Sequence, residues 1–183
     1  MKCSFNDIRG HQKLDAQENG PDLAAICELS AKYNSHSSIP VGALVANLQM
    51  PMKLNQYKVF YNSFGICMGF CTWAFLTPQT EKRLLRDKTH VIEFFEWCEG
   101  DSLWIMDFLV PRGAVKNVLE MFRDELFLAS PKVTYFRRKA DGLVFKRVAR
   151  SDTSFFLNGH MNVRTRHPNA EGAKVGSGIC GIF

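Results

Sequence analysis

The chain has no apolar run approaching the roughly 20 residues that a membrane-crossing helix requires, although 46% of its 183 residues are hydrophobic. Its opening stretch, Met-Lys-Cys-Ser-Phe-Asn-Asp, carries one positive charge and no apolar block, so no secretory leader is expected. The six cysteines (Cys3, Cys27, Cys67, Cys71, Cys98 and Cys180) contain no Cys-x-x-Cys pair and no disulfide-framework spacing. With no histidine pair beside them they argue against a zinc site, and they read as reduced thiols in a cytoplasmic protein. There is no internal repeat and no linker strong enough to divide the chain. What is abundant is aromatic: 15 Phe and three Trp point to a large-ringed core or a greasy groove.

The net charge of +5 is unevenly spread. Residues 1–130 hold 13 basic and 15 acidic side chains, whereas residues 131–183 hold 10 basic and three acidic, a local excess of +7. Such a face attracts an acidic partner: nucleic acid, an anionic membrane or an acidic protein.

The pattern predicts one α+β domain with a mixed, mostly antiparallel sheet flanked by helices. Residues 1–20 read as a loose arm, 21–150 as the domain, and 151–183 as a partly disordered extension. Helices are expected over Pro21–Tyr33, over Gln79–Lys88 behind a Thr77-Pro78 start, and over Gly113–Leu128. Strands are expected over Val41–Leu48, Tyr57–Tyr61, Ile66–Phe75, Leu103–Val110, Val133–Arg138 and Leu143–Val148. Asn62-Ser63-Phe64-Gly65 and Asp141-Gly142 read as hairpin turns.

Two residues stand out chemically. Asp107 sits inside Leu103-Trp104-Ile105-Met106-Asp107-Phe108-Leu109-Val110, where every neighbour is apolar, and a buried carboxylate needs a partner. Among His11, His36, His90, His160 and His167, only His36 lies in a Ser/Asn loop just ahead of a predicted strand, where catalytic groups are often presented. A structural carboxylate and an ordinary loop histidine remain open on these grounds alone.

Four blocks narrow the choice: Asn34-Ser35-His36-Ser37-Ser38-Ile39-Pro40-Val41 with Asn47, Asn55-Gln56-Tyr57, Cys71-Thr72-Trp73-Ala74, and Trp104 to Pro111. In this order and spacing, from about Leu29 to Val148, the chain resembles the toxin-activating lysine acyltransferases, which include the hemolysin-activating enzyme of repeats-in-toxin operons. The resemblance implies a fold like that of the GCN5-related N-acetyltransferases. It also implies transfer of a fatty acyl group from acyl-carrier protein, as co-substrate, to lysines of an RTX protoxin. It places the catalytic histidine on His36, the aspartate on Asp107 and an active-site asparagine on Asn47, with no bound cofactor or metal, no nucleic-acid partner and a homodimeric state. A serine common three residues before the histidine is Tyr33 here, with Ser35 close by.

The residue types suit that chemistry. A lysine amine, with a reference pKa of about 10.4, attacks a thioester only when neutral, and an imidazole held by a carboxylate can take its proton. Asn47 could donate to the developing oxyanion. Acyl-carrier proteins are acidic, so Arg137, Arg138, Lys139, Lys146 and Arg147 are candidates for docking them. Phe70, Trp73, Phe75 and Phe108 are candidates for an acyl groove. Three alternatives stand beside this reading. Cys71 could form an acyl-enzyme with His36 and Asp107. The basic third could bind nucleic acid or anionic membrane without catalysis. A CoA-dependent acetyltransferase would need a Gln/Arg-x-x-Gly-x-Gly/Ala loop, and Arg138-Lys139-Ala140-Asp141-Gly142 lacks its spacing.

Overall fold

A computed structural model describes residues 9–10, 19–87, 91–139, 142–152, 155–156 and 180–182. A central seven-stranded sheet runs in the order β1-β2-β3-β4-β5-β6, with β7 also against β4. The strands are β1 (Arg9–Gly10), β2 (Tyr57–Tyr61), β3 (Cys67–Leu76), β4 (Ser102–Val110), β5 (Lys132–Lys139), β6 (Gly142–Ala149) and β7 (Cys180–Ile182). Every pairing is antiparallel except β4 with β5. The expected single α+β domain with a mostly antiparallel sheet is what forms.

One face of the sheet is covered by α1 (Asn19–Ala31), α2 (Val41–Lys53), α3 (Pro78–Arg86) and a 3-10 turn at Phe94–Trp97. The other carries α4 (Val115–Met121), which continues as a π-helical turn over Phe122–Leu126. On this second face Phe108, Phe122, Phe127 and Phe156 pack edge to face or stacked, with ring centroids 5.3–6.1 Å apart. Much of the aromatic load is thus core, in the pairing geometry that aromatic quadrupoles favour.

The β2–β3 turn forms where expected. Gly65 takes φ +74°, a left-handed value that a side chain would resist, and the Asn62 carboxamide oxygen accepts from the N–H groups of Phe64 and Ile66, each at 3.0 Å. Thr77 caps α3 by accepting from the Thr80 N–H at 3.2 Å.

Val41–Leu48 differs from its expected strand: it is the start of α2. Leu44, Leu48 and Met52 are the buried side of that helix, spaced by four, and the valines had masked that period. The helix follows Pro40, whose carbonyl accepts the first helical bond from Leu44 N–H at 3.0 Å. At the ends of the chain, Arg9–Gly10 pairs with Phe60–Tyr61, and α1 starts at Asn19 rather than Pro21. Most of the expected C-terminal tail lies outside the described residues, but Cys180–Ile182 lies antiparallel to Phe108–Val110. Asp141 of the expected β5–β6 turn is likewise outside them, while Arg138 and Lys139 pair with Leu143 and Gly142 across the hairpin.

Carboxylates tie the helices down. Tyr57 and Tyr61 both donate their hydroxyls to Asp22 of α1, at 3.0 and 2.6 Å. Glu81 of α3, 7% exposed, accepts from Ser102, from the Trp104 indole N–H at 2.7 Å and from Arg147 at 2.7 Å. Glu96, fully buried, accepts from Thr80 and Arg83 and reaches back to the Glu93 N–H. Burial raises the Glu81 pKa, but the Ser102, Trp104 and Arg147 contacts outweigh it and hold the carboxyl below its ordinary value. Its contribution is therefore complete above the usual carboxylate range and fades as pH falls through the lowered folded value.

Glu81→Ala, which strands the Trp104, Ser102 and Arg147 donors, is expected to lower unfolding free energy by about 3 kcal/mol in urea melts, and the deficit relative to the parent should shrink below about pH 4. Gly100 is tightly hemmed: a Cβ there would lie 2.0 Å from the Leu76 carbonyl. Gly100→Ala should cost about 1–3 kcal/mol of thermal stability through this clash with backbone.

Candidate active site

The segment between α1 and α2 is wound into consecutive turns. The Tyr33 carbonyl accepts from both His36 and Ser37 N–H, at 2.9 and 2.8 Å, and the His36 carbonyl accepts from Ile39 N–H at 2.9 Å. These bonds roll the loop inward and press His36 against the sheet, where it is 3% exposed. The edge of Phe70 meets its ring at 5.9 Å and 79°.

Asp107 reaches the same place because of an irregularity in β4. Thr72 of β3 is opposite Asp107, but the next pair is Trp73 with Ile105, so Met106 is one residue in excess. A bulge of this kind reverses the alternation of side chains. Before it, Leu103 and Ile105 join the core under α4; after it, Phe108 and Val110 do. Asp107 is thereby turned, with Leu109, toward the face that carries α1 and α2. In unbroken alternation it would share the side of Ile105, away from His36.

His36 Nε2 lies 3.0 Å from Asp107 Oδ1 and 3.3 Å from Oδ2. The same Oδ1 accepts from the Phe108 N–H at 2.8 Å. Against a carboxylate, Nε2 carries the hydrogen and donates, which leaves the lone pair on Nδ1. Nδ1 in turn is 2.8 Å from Ser35 Oγ. The chain Ser35–His36–Asp107 has the connectivity of a Ser–His–Asp triad with the two ring nitrogens exchanged. Sequence reasoning had registered Ser35 only as a neighbour, since the contact depends on the loop's winding.

The other candidates are distributed differently. Asn47 is exposed on α2, and among the described residues no hydrogen bond joins it to His36 or Asp107. Pro51, in the same helix, has no N–H to offer the Asn47 carbonyl one turn back. Cys71 corrects the cysteine acyl-enzyme reading. It is fully buried in the core beneath α4, on the opposite face of the sheet from His36, and burial pushes its thiol well above the ordinary value, with Asp107 adding to the effect. A neutral thiol facing away cannot act as nucleophile to this pair. Cys67 is held up too, to about 11, chiefly by burial. Cys27, Cys67, Cys71 and Cys98 are free thiols.

The four aromatic groove candidates are also divided. Phe70 packs on the His36 side, whereas Trp73, Phe75 and Phe108 belong to the core under α4. The basic docking set straddles the β5–β6 ribbon. Arg137 and Lys146 alternate with Val133 and Val148 on the α4 side, while Arg147 lies on the α3 side, bonded to Glu81 and 5.4 Å over the Phe145 ring. The side chains of Arg138 and Lys139 lie outside the described residues. Among the described residues no three His, Cys, Asp or Glu side chains converge as a metal site, and no helix is long and apolar enough to cross a membrane.

The class is thus a single α+β sheet carrying a buried imidazole on a strand carboxylate, a pairing of the residue types that general acid–base chemistry uses. The particular family follows from comparison: residues 16–152 match the RTX toxin acyltransferase family, and the chain belongs to it. It is similar to protein-lysine myristoyltransferase HlyC of Escherichia coli, 32% identical over 111 residues, 58% of this chain and 63% of that one. It is also similar to protein-lysine myristoyltransferase RtxC of Kingella kingae, 27% identical over 112 residues, 59% and 66% of the two chains. A third relative is the RTX-II toxin-activating lysine-acyltransferase ApxIIC of Actinobacillus pleuropneumoniae, 31% identical over 91 residues, 50% and 56% of the two. The match thus spans under two thirds of each of these relatives.

Cys71→Ser is expected to leave turnover per folded molecule near the parent value while lowering the melting temperature, because it buries a hydroxyl in an apolar core. Abolished turnover in a protein that still folds would restore the cysteine nucleophile.

Proposed function

We propose that this chain moves a fatty acyl group from acyl-carrier protein to internal lysine ε-amines of an RTX protoxin, with His36 as the base and Asp107 as its orienting carboxylate. The observation that carries this is the 3.0 Å bond between His36 Nε2 and Asp107 Oδ1. It joins side chains 71 residues apart in sequence, on the two blocks that the family resemblance marks as catalytic. The relatives, a protein-lysine myristoyltransferase and a toxin-activating lysine-acyltransferase, supply the reaction class.

The steps follow from the groups present. The lysine amine attacks the thioester carbonyl and gives up a proton on the Nδ1 side of His36. Asp107 stabilises the imidazolium that forms. The tetrahedral intermediate expels the carrier's thiolate, which takes the proton back, leaving an amide and a free thiol. Asn47, one α2 residue among those the resemblance marks, serves the acyl carbonyl or the incoming donor. The basic ribbon of Arg137, Lys146 and its neighbours offers the acidic carrier a complementary charge. The free cysteines accord with a cytoplasmic setting, and a homodimer belongs to the same reading.

The test mixes the purified chain, acyl-carrier protein loaded with fatty acids of several lengths, and the co-encoded toxin, and reads acyl-lysine by mass spectrometry. Adducts should appear with the parent protein. His36→Ala and Asp107→Asn should each slow their formation by roughly 10²–10⁴-fold in protein that is still folded at the assay temperature, with His36→Ala melting lower than the parent. Absence of acyl-lysine at every chain length would remove the proposal.

A further inference from the structure

His36 is 3% exposed, and neither of its nitrogens is open. Nε2 is covered by both oxygens of Asp107, at 3.0 and 3.3 Å, and Nδ1 by Ser35 Oγ at 2.8 Å. Phe70 packs against the ring as well, at a centroid distance of 5.9 Å. Ser35 itself is only partly buried, and its hydroxyl caps the basic nitrogen. An amine arriving from outside meets this oxygen before it meets the imidazole. Asp107 is 23% exposed at its side chain, but its oxygens already accept from His36 and from the Phe108 N–H.

We propose that Ser35 is a catalytic residue of this chain: its hydroxyl is the proton relay through which His36 acts. In the step that removes a proton from the attacking amine, the N–H proton passes to Ser35 Oγ as the Ser35 O–H proton passes to His36 Nδ1. The hydroxyl is regenerated, and the charge rests on the imidazolium beside Asp107. The reverse relay delivers the proton to the departing thiolate. Oγ makes no covalent bond to the acyl group, and no outside reactant is needed. A hydroxyl suits the task because it is donor and acceptor at once and turns about one torsion. The role falls on this serine through backbone geometry: the two N–H groups that follow it, on His36 and Ser37, both close on the Tyr33 carbonyl and hold Ser35 at the rim of the turn.

The inference rests on the acyl-transfer reading, and the experiment separates the two. Parent, Ser35→Ala and Ser35→Thr proteins are compared for rate in mixed H₂O–D₂O, for melting temperature, and for the ¹⁵N shifts of the His36 imidazole. Ser35→Ala should reduce kcat by about 10²-fold with an unchanged melting temperature, and Ser35→Thr should recover most of it. The proton inventory should bow for the parent, two protons moving together, and straighten for Ser35→Ala. The Nδ1 resonance should move in Ser35→Ala and return in Ser35→Thr, a readout that needs no turnover. An active parent with an equally active Ser35→Ala variant would overturn the relay, as would a Ser35→Thr variant as slow as Ser35→Ala. An acyl ester on Ser35 after incubation with the acyl donor alone would overturn it too, in favour of a serine nucleophile. A parent inactive at every acyl length, with the ¹⁵N pattern as expected, would instead strike at acyl transfer itself.

Discussion

The bond between His36 and Asp107 is the constraint around which the rest of the molecule is arranged. It links a loop between two helices to an interior strand of the sheet, and neither partner could be buried alone without loss. To bring them together the chain must wind residues 33–39 into turns, lay α1 and α2 on one face of the sheet, and break the alternation of β4 at Met106. The remaining carboxylates do comparable mechanical work elsewhere. Asp22 fastens α1 to β2, Glu81 fastens α3 to β4 and β6, and Glu96 locks the 3-10 turn to α3. Those three are spent on holding elements in place. Asp107 differs in its partner, an imidazole, which can both take and give a proton.

Much of this could be read from the residues because it is local. Thr77-Pro78 states its own helix start, Asn62 to Gly65 states its own turn, and an acid amid seven apolar residues declares that something must meet it. His36 was legible through its surroundings and the family blocks. The β-branched Val41 and Val45 gave α2 the look of a strand, because propensity spoke louder there than the fourfold spacing of Leu44, Leu48 and Met52.

What could not be read is relational. A bulge is a mismatch between two strands, so nothing in the β4 sequence alone announces that Met106 is the extra residue. Which face Cys71 points to, and hence whether it can meet His36, depends on that register. So does the separation of Phe70 from Trp73 and Phe108, which looked like one apolar neighbourhood on paper. The basic run at the β5–β6 ribbon is similarly a single stretch in sequence and two opposite surfaces in space.

The bulge also frees the site from the identity of the residue that makes it. Met106 contributes its backbone to the reversal, so many side chains at that position would leave the face of Asp107 unchanged. Losing Met106 altogether would leave it unchanged too: Ile105 and Asp107 would become consecutive opposite Trp73 and Thr72, and plain alternation would keep the carboxylate on the face of α1 and α2. For lineages of this chain, substitution or loss of that one mid-strand residue is therefore a mild event, because the face of the carboxylate follows its pairing with Thr72.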